Sequence, residues 1–231
     1  MNEYPSPTPE LPAAVLWDFD GTLVDTEPIW FASEYALADE LGGTWNDYLA
    51  HELVGSSLIE TARTLIRRAG RDDLDPVAVT ERLVDLVVAR LELADLEWRP
   101  GAVELLTELA GAGVPCALVS ASFQRVLDTA LHRLPVNPFD VIIAGDDVTH
   151  GKPHPEPYLT AAARLGVRPE DCLVLEDSIN GADSGTAAGC VVAVIPNAVQ
   201  PPAAERRFHL DTLAGVGLDR LRALMAAELV R

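Results

Sequence analysis

Five short apolar runs punctuate the chain, at residues 13–17, 114–119, 141–144, 172–175 and 190–195. Each is apolar almost without interruption instead of alternating with polar positions. That is the pattern of strands buried on both faces, as in a parallel sheet. Segments with helical spacing lie between the later runs or beside them, at 102–111, 124–134, 155–165 and 180–188. Gly111 and Gly113 stand where the first should end, and Gly166 and Gly189 where the last two should end. Glycine there suits the left-handed residue that closes many helices. Strand and helix in alternation predict an α/β fold with a Rossmann-like parallel sheet core.

The alternation breaks once. From residue 18 to Pro100 the spacing is helical, at 27–41, 57–69 and 76–93, with no strand-like run. Pro76 suits the first turn of the third of these helices. This predicts an inserted α-helical cap domain over the C-terminal ends of the strands, where open α/β sheets bind ligands. The expected division is a core of residues 13–25 and 97–231, with a cap of 26–96. Residues 1–12, with prolines at 5, 7, 9 and 12, read as a flexible extended lead-in and not as a signal peptide. Residues 197–204 read as a loop, and 218–230 as a last helix.

Charge narrows the function. There are 17 basic and 36 acidic residues, a formal net charge of −19. This excludes nucleic acid and anionic membrane surfaces as partners, since both need basic patches. No apolar run reaches the ~20 residues of a membrane helix. The cysteines, Cys116, Cys172 and Cys190, are odd in number, lie in or beside apolar runs and form no CxxC. They read as buried, reduced thiols of a cytoplasmic protein. Lys152 is the only lysine. An anion bound by so acidic a chain needs a metal, a helix N-terminus or a few well-placed cations.

The ends of the strand-like runs carry the candidate chemistry. Asp18-Phe19-Asp20-Gly21-Thr22 follows the first and Ser120-Ala121-Ser122 the second. Asp146-Asp147 and then Gly151-Lys152-Pro153 follow the third, and Glu176-Asp177-Ser178 the fourth. In a parallel sheet these ends share one edge. Two carboxylates about 4 Å apart repel by about 4 kcal/mol at a dielectric of ~20. Several together require a cation, and hard carboxylate oxygens suit Mg²⁺. In extended backbone Asp18 and Asp20 face the same way and Phe19 turns inward, while Gly21 permits a sharp turn. Lys152, the Ser120 hydroxyl and nearby backbone N–H groups such as that of Ala121 can hold a phosphate.

These motifs, in this order and continuing through His154-Pro155-Glu156 and Ile179-Asn180-Gly181, resemble the haloacid dehalogenase superfamily. The resemblance is to its phosphatase branch with a helical cap after the first strand. It implies Asp18 as a nucleophile forming an aspartyl-phosphate and Asp20 as general acid and base. It also implies phosphate binding by Ser120, Ala121 and Lys152. Mg²⁺ would be held by Asp18, the backbone carbonyl of Asp20 and Asp177, with Glu176 close or linked through water. The implied partner is a small phosphate ester, with a sugar phosphate as the leading candidate. Asp20 favours phosphate chemistry over carbon–halogen cleavage. Phosphomutases of the same superfamily carry a histidine early in the first cap helix and an arginine after a cap-loop glycine. Here those positions read Trp30 and Val54-Gly55-Ser56-Ser57, which weakens the mutase alternative. A non-catalytic phospholigand binder would not need both Asp18 and Asp20. Glu27, Trp30 and the loop at 55–58 are the candidates for substrate specificity.

Overall fold

The computed structural model describes residues 11–229. In chain order its elements are β1 (Ala14–Trp17), β2 (Val24–Asp25), α1 (Glu27–Leu41), α2 (Asp47–Glu52), α3 (Leu58–Ala69), α4 (Pro76–Leu93), β3 (Glu97–Trp98), α5 (Ala102–Ala112), β4 (Cys116–Val119), α6 (Gln124–Leu131), β5 (Phe139–Ile143), α7 (Glu156–Leu165), β6 (Cys172–Glu176), α8 (Ile179–Ala187), β7 (Val191–Val194), β8 (Arg207–His209) and α9 (Leu218–Leu229). Six strands form one parallel sheet in the order β5-β4-β1-β6-β7-β8.

Side-chain alternation explains the uninterrupted apolar runs. Val15 and Trp17 of β1 pack with Leu118, Leu173 and Leu175 on one face, under Leu105 and Leu109 of α5 and Leu221 of α9. Ala14 and Leu16 pack on the other face with Val119 and Val174, under Tyr158 and Ala161 of α7. Successive side chains point to opposite faces, and helices cover both, so every position in β1 must be apolar. The register then fixes the functional edge. Trp17 lies opposite Leu118 of β4 and Leu175 of β6, so Asp18, Ser120 and Glu176 leave the sheet side by side.

The helical segment after β1 has its own core, built from Leu37 of α1, Leu65 of α3 and Leu83, Val87 and Leu91 of α4, with Val126 of α6 joining it. At its base β2 and β3 pair antiparallel, Val24 opposite Trp98 and Asp25 opposite Glu97. This two-stranded piece corrects the reading of 18–99 as strandless; two residues per strand show no periodicity. The six-residue α2 was missed for the same reason. β8 was also unforeseen, because Arg-Phe-His does not look like a buried strand. Its Arg207 is nevertheless buried, bonded to Asp183 at 2.8 Å and to the Pro202 carbonyl at 2.9 Å.

Helix ends shift by a few residues. Gly111 lies inside α5, and Gly113, at φ 67°, closes it. The helix expected over 124–134 stops at Leu131. The third core strand begins at Phe139, two residues before the expected 141. Cys116, Cys172 and Cys190 are buried and unpaired, and burial pushes each thiol up to about 12. Most of the expected lead-in, residues 1–10, lies outside the described residues. Among the described residues no helix is long and apolar enough to cross a membrane.

Candidate active site

Lys152 is the centre of the charge arrangement. It enters from the loop before α7, and its buried ammonium reaches Asp18 Oδ1 at 2.7 Å, Glu176 Oε1 at 2.5 Å and the Val119 carbonyl at 2.9 Å. An ammonium has three donors, and all are used. Burial alone would push its pKa down; Asp18 and Glu176 together outweigh burial and hold it above the usual lysine range. Tyr158 donates to the same Glu176 oxygen at 2.8 Å, with its ring centroid 5.0 Å from the ammonium nitrogen. Glu176 Oε2 accepts from the backbone N–H groups of Asp177 and Ser178 and from the Ser178 hydroxyl. Both oxygens of this fully buried carboxylate are therefore occupied.

A glycine makes that arrangement possible. A Cβ on Gly181 would lie 1.7 Å from Glu176 Oε1. Gly181→Ala is expected to cost about 1–3 kcal/mol by overpacking, read as a lower urea midpoint. Gly111→Ala is the control. It lies within α5 with nothing within 4 Å of the added Cβ, and is expected to stabilise by about 0.5–1 kcal/mol.

Asp20 sits in a cage of donors. Its Oδ1 accepts from the Thr26 hydroxyl at 2.5 Å and the Trp30 indole N–H at 2.8 Å. Its Oδ2 accepts from the hydroxyls of Ser122 at 2.6 Å and Ser120 at 3.2 Å. The Ser120 hydroxyl in turn accepts the Ser122 backbone N–H at 2.9 Å. Asp20 thus ties the sheet edge to the start of α1. The turn that presents it needs Gly21: φ is 89°, and a Cβ there would lie 2.1 Å from Asp177 Oδ2.

Asp18, Glu176 and Asp177 place carboxylate oxygens within 4.8 Å of one another, all buried. Among the described residues Asp177 Oδ1 takes only a long bond from Thr22, at 3.3 Å. Asp18 Oδ2 and Asp177 Oδ2 are buried with no partner among the described residues. Orphaned hard oxygens in so tight a group fit a divalent cation. The electrostatics agree. Burial first, and Glu176 second, push Asp18 up to about 8 against the opposing pull of Lys152. Burial, then Asp18 and Glu176, hold Asp177 well above the usual carboxylate range.

A carboxyl whose folded pKa exceeds its unfolded value keeps its proton longer when folded. Between 3.8, the ordinary value, and about 8 for Asp18, stability therefore falls as pH rises. The metal-free protein should have a lower Tm at about pH 8 than at about pH 6 from this contribution. A divalent cation should raise Tm more at the higher pH, and differential scanning calorimetry with and without EDTA checks this.

A cavity of about 70 Å³ lies between the sheet edge and the helical segment. Asp18, Asp20, Ala121, Ser122 and Lys152 line it from the sheet, and Glu27, Trp30, Phe31, Glu34 and the loop at 53–56 from the helices. The loop rests on the sheet side, where Asn180 Nδ2 donates to the Gly55 carbonyl at 3.2 Å. Ser120, Glu176 and Asp177 do not line the cavity but bond to groups that do or to their neighbours. The structure does not bring Asp146 and Asp147 into the cluster: they accept from the backbone N–H groups of Gln124 and Ala144. His154 is exposed beside His150, and Arg63 and Arg67 bond to Glu60 and Thr64 of their own helix. Sequence reasoning missed Tyr158, Thr26 and Glu34. Tyr158 lies inside the expected helix 155–165 and Glu34 inside 27–41, and neither carries a local motif.

Residues 12–189 match the haloacid dehalogenase-like hydrolases. Hexitol phosphatase A of Escherichia coli (strain K12) is 35% identical over 206 residues, covering 86% of this chain and 90% of that enzyme. The bifunctional riboflavin kinase/FMN phosphatase of Arabidopsis thaliana is 33% identical over 81% of this chain, which spans about half, 49%, of that longer protein. The crystal structure of a mutant CbbY from Rhodobacter sphaeroides in complex with xylulose-(1,5)bisphosphate superposes with a TM-score of 0.82. It is 27% identical, over 92% of this chain and 99% of that one.

Proposed function

We propose that this chain, which belongs to the haloacid dehalogenase-like hydrolases and is a phosphatase acting on a small phosphorylated metabolite, uses Asp18 as nucleophile and Mg²⁺ as cofactor to hydrolyse a sugar or sugar-alcohol phosphate. The observation that carries the reading is the state of Asp18. One oxygen is fixed by Lys152 at 2.7 Å, and the other is buried without a partner at a cavity wall.

The residues divide the work as follows. Asp18 attacks phosphorus, so that an Asp18 O–P bond forms as the ester P–O bond breaks. Asp20 gives its proton to the leaving oxygen, then takes one from the water that attacks the aspartyl-phosphate and frees phosphate. Thr26, Trp30, Ser120 and Ser122 aim its carboxyl. Ser120 and the backbone at Ala121 donate to phosphoryl oxygens, and Lys152, whose three donors are held by Asp18, Glu176 and Val119, supplies its positive charge beside them. Asp18 and Asp177, with the Asp20 carbonyl, would hold the cation, which when bound offsets the negative charge of the transferring phosphoryl group. Both Glu176 oxygens are occupied, so its role is to position Lys152. Residues 26–96 act as the cap over a core of 13–25 and 97–231. Three buried, unpaired thiols support a cytoplasmic setting.

Trp30 separates this reading from a phosphomutase. Its indole can donate to Asp20 but cannot accept a proton, so it cannot relay one between sugar hydroxyls. The test is phosphate release from a panel of phosphate esters. Turnover that EDTA abolishes and Mg²⁺ restores is expected. Turnover indifferent to EDTA would contradict the metal assignment. A sugar-phosphate isomer as the main product would favour the mutase.

A further inference from the structure

We infer that Glu34, on the cap helix α1, is a specificity residue: it receives the hydroxyl groups of an uncharged polyol leaving group and, with Glu27, turns away leaving groups that carry a second anion. The inference rests on the hydrolysis at Asp18 proposed above and names the chemistry at the other end of the substrate.

Glu27, Trp30, Phe31 and Glu34 follow one another at i, i+3, i+4 and i+7 and line the same cavity. Trp30 is pinned to Asp20 at 2.8 Å, which fixes where this helix face meets the reacting end. Glu34 lies one turn further along, about 6 Å in axial rise from Trp30. The far end of a small leaving group would come there, beyond the bond that Asp20 protonates.

Glu34 is only 6% exposed, and the lining of its cavity on the helical side includes the apolar Phe31, Ala50 and Leu58. A carboxyl is expensive to bury in such a place. One of its oxygens, Oε2, takes the Trp45 indole N–H at 3.1 Å. A carboxylate has about four acceptor sites, so that bond leaves acceptor capacity on a residue that lines the cavity. Burial pushes Glu34 up to about 7. Near neutrality it is present both as acceptor and as acid donor, matching hydroxyls, which do both.

The lining includes Asp18, Asp20, Glu27 and Glu34, and its cation, Lys152, is already committed to Asp18 and Glu176. A second phosphate or carboxylate would meet Glu27 and the ionised fraction of Glu34, against Arg99 and His51 as the positive groups near Glu27, and the excess of like charge in low dielectric disfavours it.

The experiment compares wild type, Glu34→Leu and Glu34→Gln in the presence of Mg²⁺. Glucose 6-phosphate and glucitol 6-phosphate are the polyol monoesters, fructose 1,6-bisphosphate and phosphoglycolate carry a second anion, and p-nitrophenyl phosphate has no hydroxyl. Wild type is expected to prefer at least one polyol monoester over both anionic esters by about 10-fold or more in kcat/KM. Glu34→Leu should lose about 10- to 100-fold on that ester, chiefly through KM, yet stay within about 3-fold on p-nitrophenyl phosphate. Glu34→Gln should keep most polyol turnover and accept the anionic esters better. An equal loss on both ester types in Glu34→Leu, or no change in their ratio, would overturn the inference while leaving hydrolysis at Asp18 standing. Failure of wild type to release phosphate from every ester would overturn the hydrolysis reading and this one with it.

Discussion

Asp18→Asn is expected to abolish phosphate release, lowering kcat by on the order of 10⁴- to 10⁶-fold, with the fold intact. Removal of a covalent nucleophile carries losses of that size in enzymes whose catalytic groups act as a unit. Asparagine keeps the shape of the side chain, so β1 and the Asp18–Lys152 contact region need not rearrange. It cannot present an anionic oxygen to phosphorus, so no covalent intermediate forms. The same substitution should raise the stability of the metal-free protein. Asp18 is held up to about 8 by burial and by Glu176, which marks a charge the fold disfavours. An uncharged amide removes that liability. The gain should grow as pH rises from about 4 toward about 8 and be smaller at acid pH, where wild type is already protonated. Steady-state phosphate assays and thermal melts across pH check the two halves separately. Loss of activity with loss of folding would mean that Asp18 is a packing residue instead.

Lys152→Met should fail on both counts. Its ammonium is the shared partner of Asp18 and of the fully buried Glu176. Methionine fills the volume but leaves two buried carboxylates facing each other. Breaking a buried pair by removing one partner costs about 3–5 kcal/mol, because the remaining charge is uncompensated. Tyr158 and the backbone donors around Ser178 still serve Glu176, which limits the loss. The destabilisation should shrink as pH falls and Asp18 takes up its proton, so urea midpoints of variant and wild type should converge toward acid pH. Activity should drop on the order of 10³-fold, since the positive charge beside the transferring phosphoryl group is lost along with the anchor of the nucleophile. Lys152→Arg should not rescue it, because a planar fork cannot reproduce three short contacts converging on one nitrogen.

The parts of this molecule that the sequence made legible are those where one constraint acts along a continuous stretch. β1, β4, β6 and β7 are buried on both faces, so their apolar runs announce a parallel sheet. The parallel sheet then predicts that Asp18, Ser120 and Glu176 converge. The helices of the insert were readable because Leu83, Val87 and Leu91 repeat on one face. β2 and β3 were not, because a two-residue strand contains no period. β8 was hidden because its buried Arg207 is paid for by partners in α8 and in the loop before it.

The site shows the same division. Lys152 stood out as the single lysine of an arginine-using chain. The bond from Trp30 to Asp20 did not stand out. It depends on the angle at which α1 leaves the turn after Gly21, a three-dimensional fact with no local signature. Tyr158 supports Glu176 across a separation of 18 residues, from a position that in sequence reads only as helix core. Glu34 and Trp45 are partners 11 apart, and each alone resembles an ordinary surface acid or a core aromatic.

A covalent phosphoryl group on Asp18 can be trapped during turnover. Enzyme turning over a saturating phosphate ester with Mg²⁺ would be quenched, reduced with borohydride, digested and read by mass spectrometry. Reduction converts an acyl phosphate of aspartate into homoserine. Homoserine is expected at position 18 in wild type and unmodified residue 18 in Asp18→Asn. Aspartate remaining at 18 during active turnover, or conversion at another carboxylate, would contradict a phosphoryl group on Asp18.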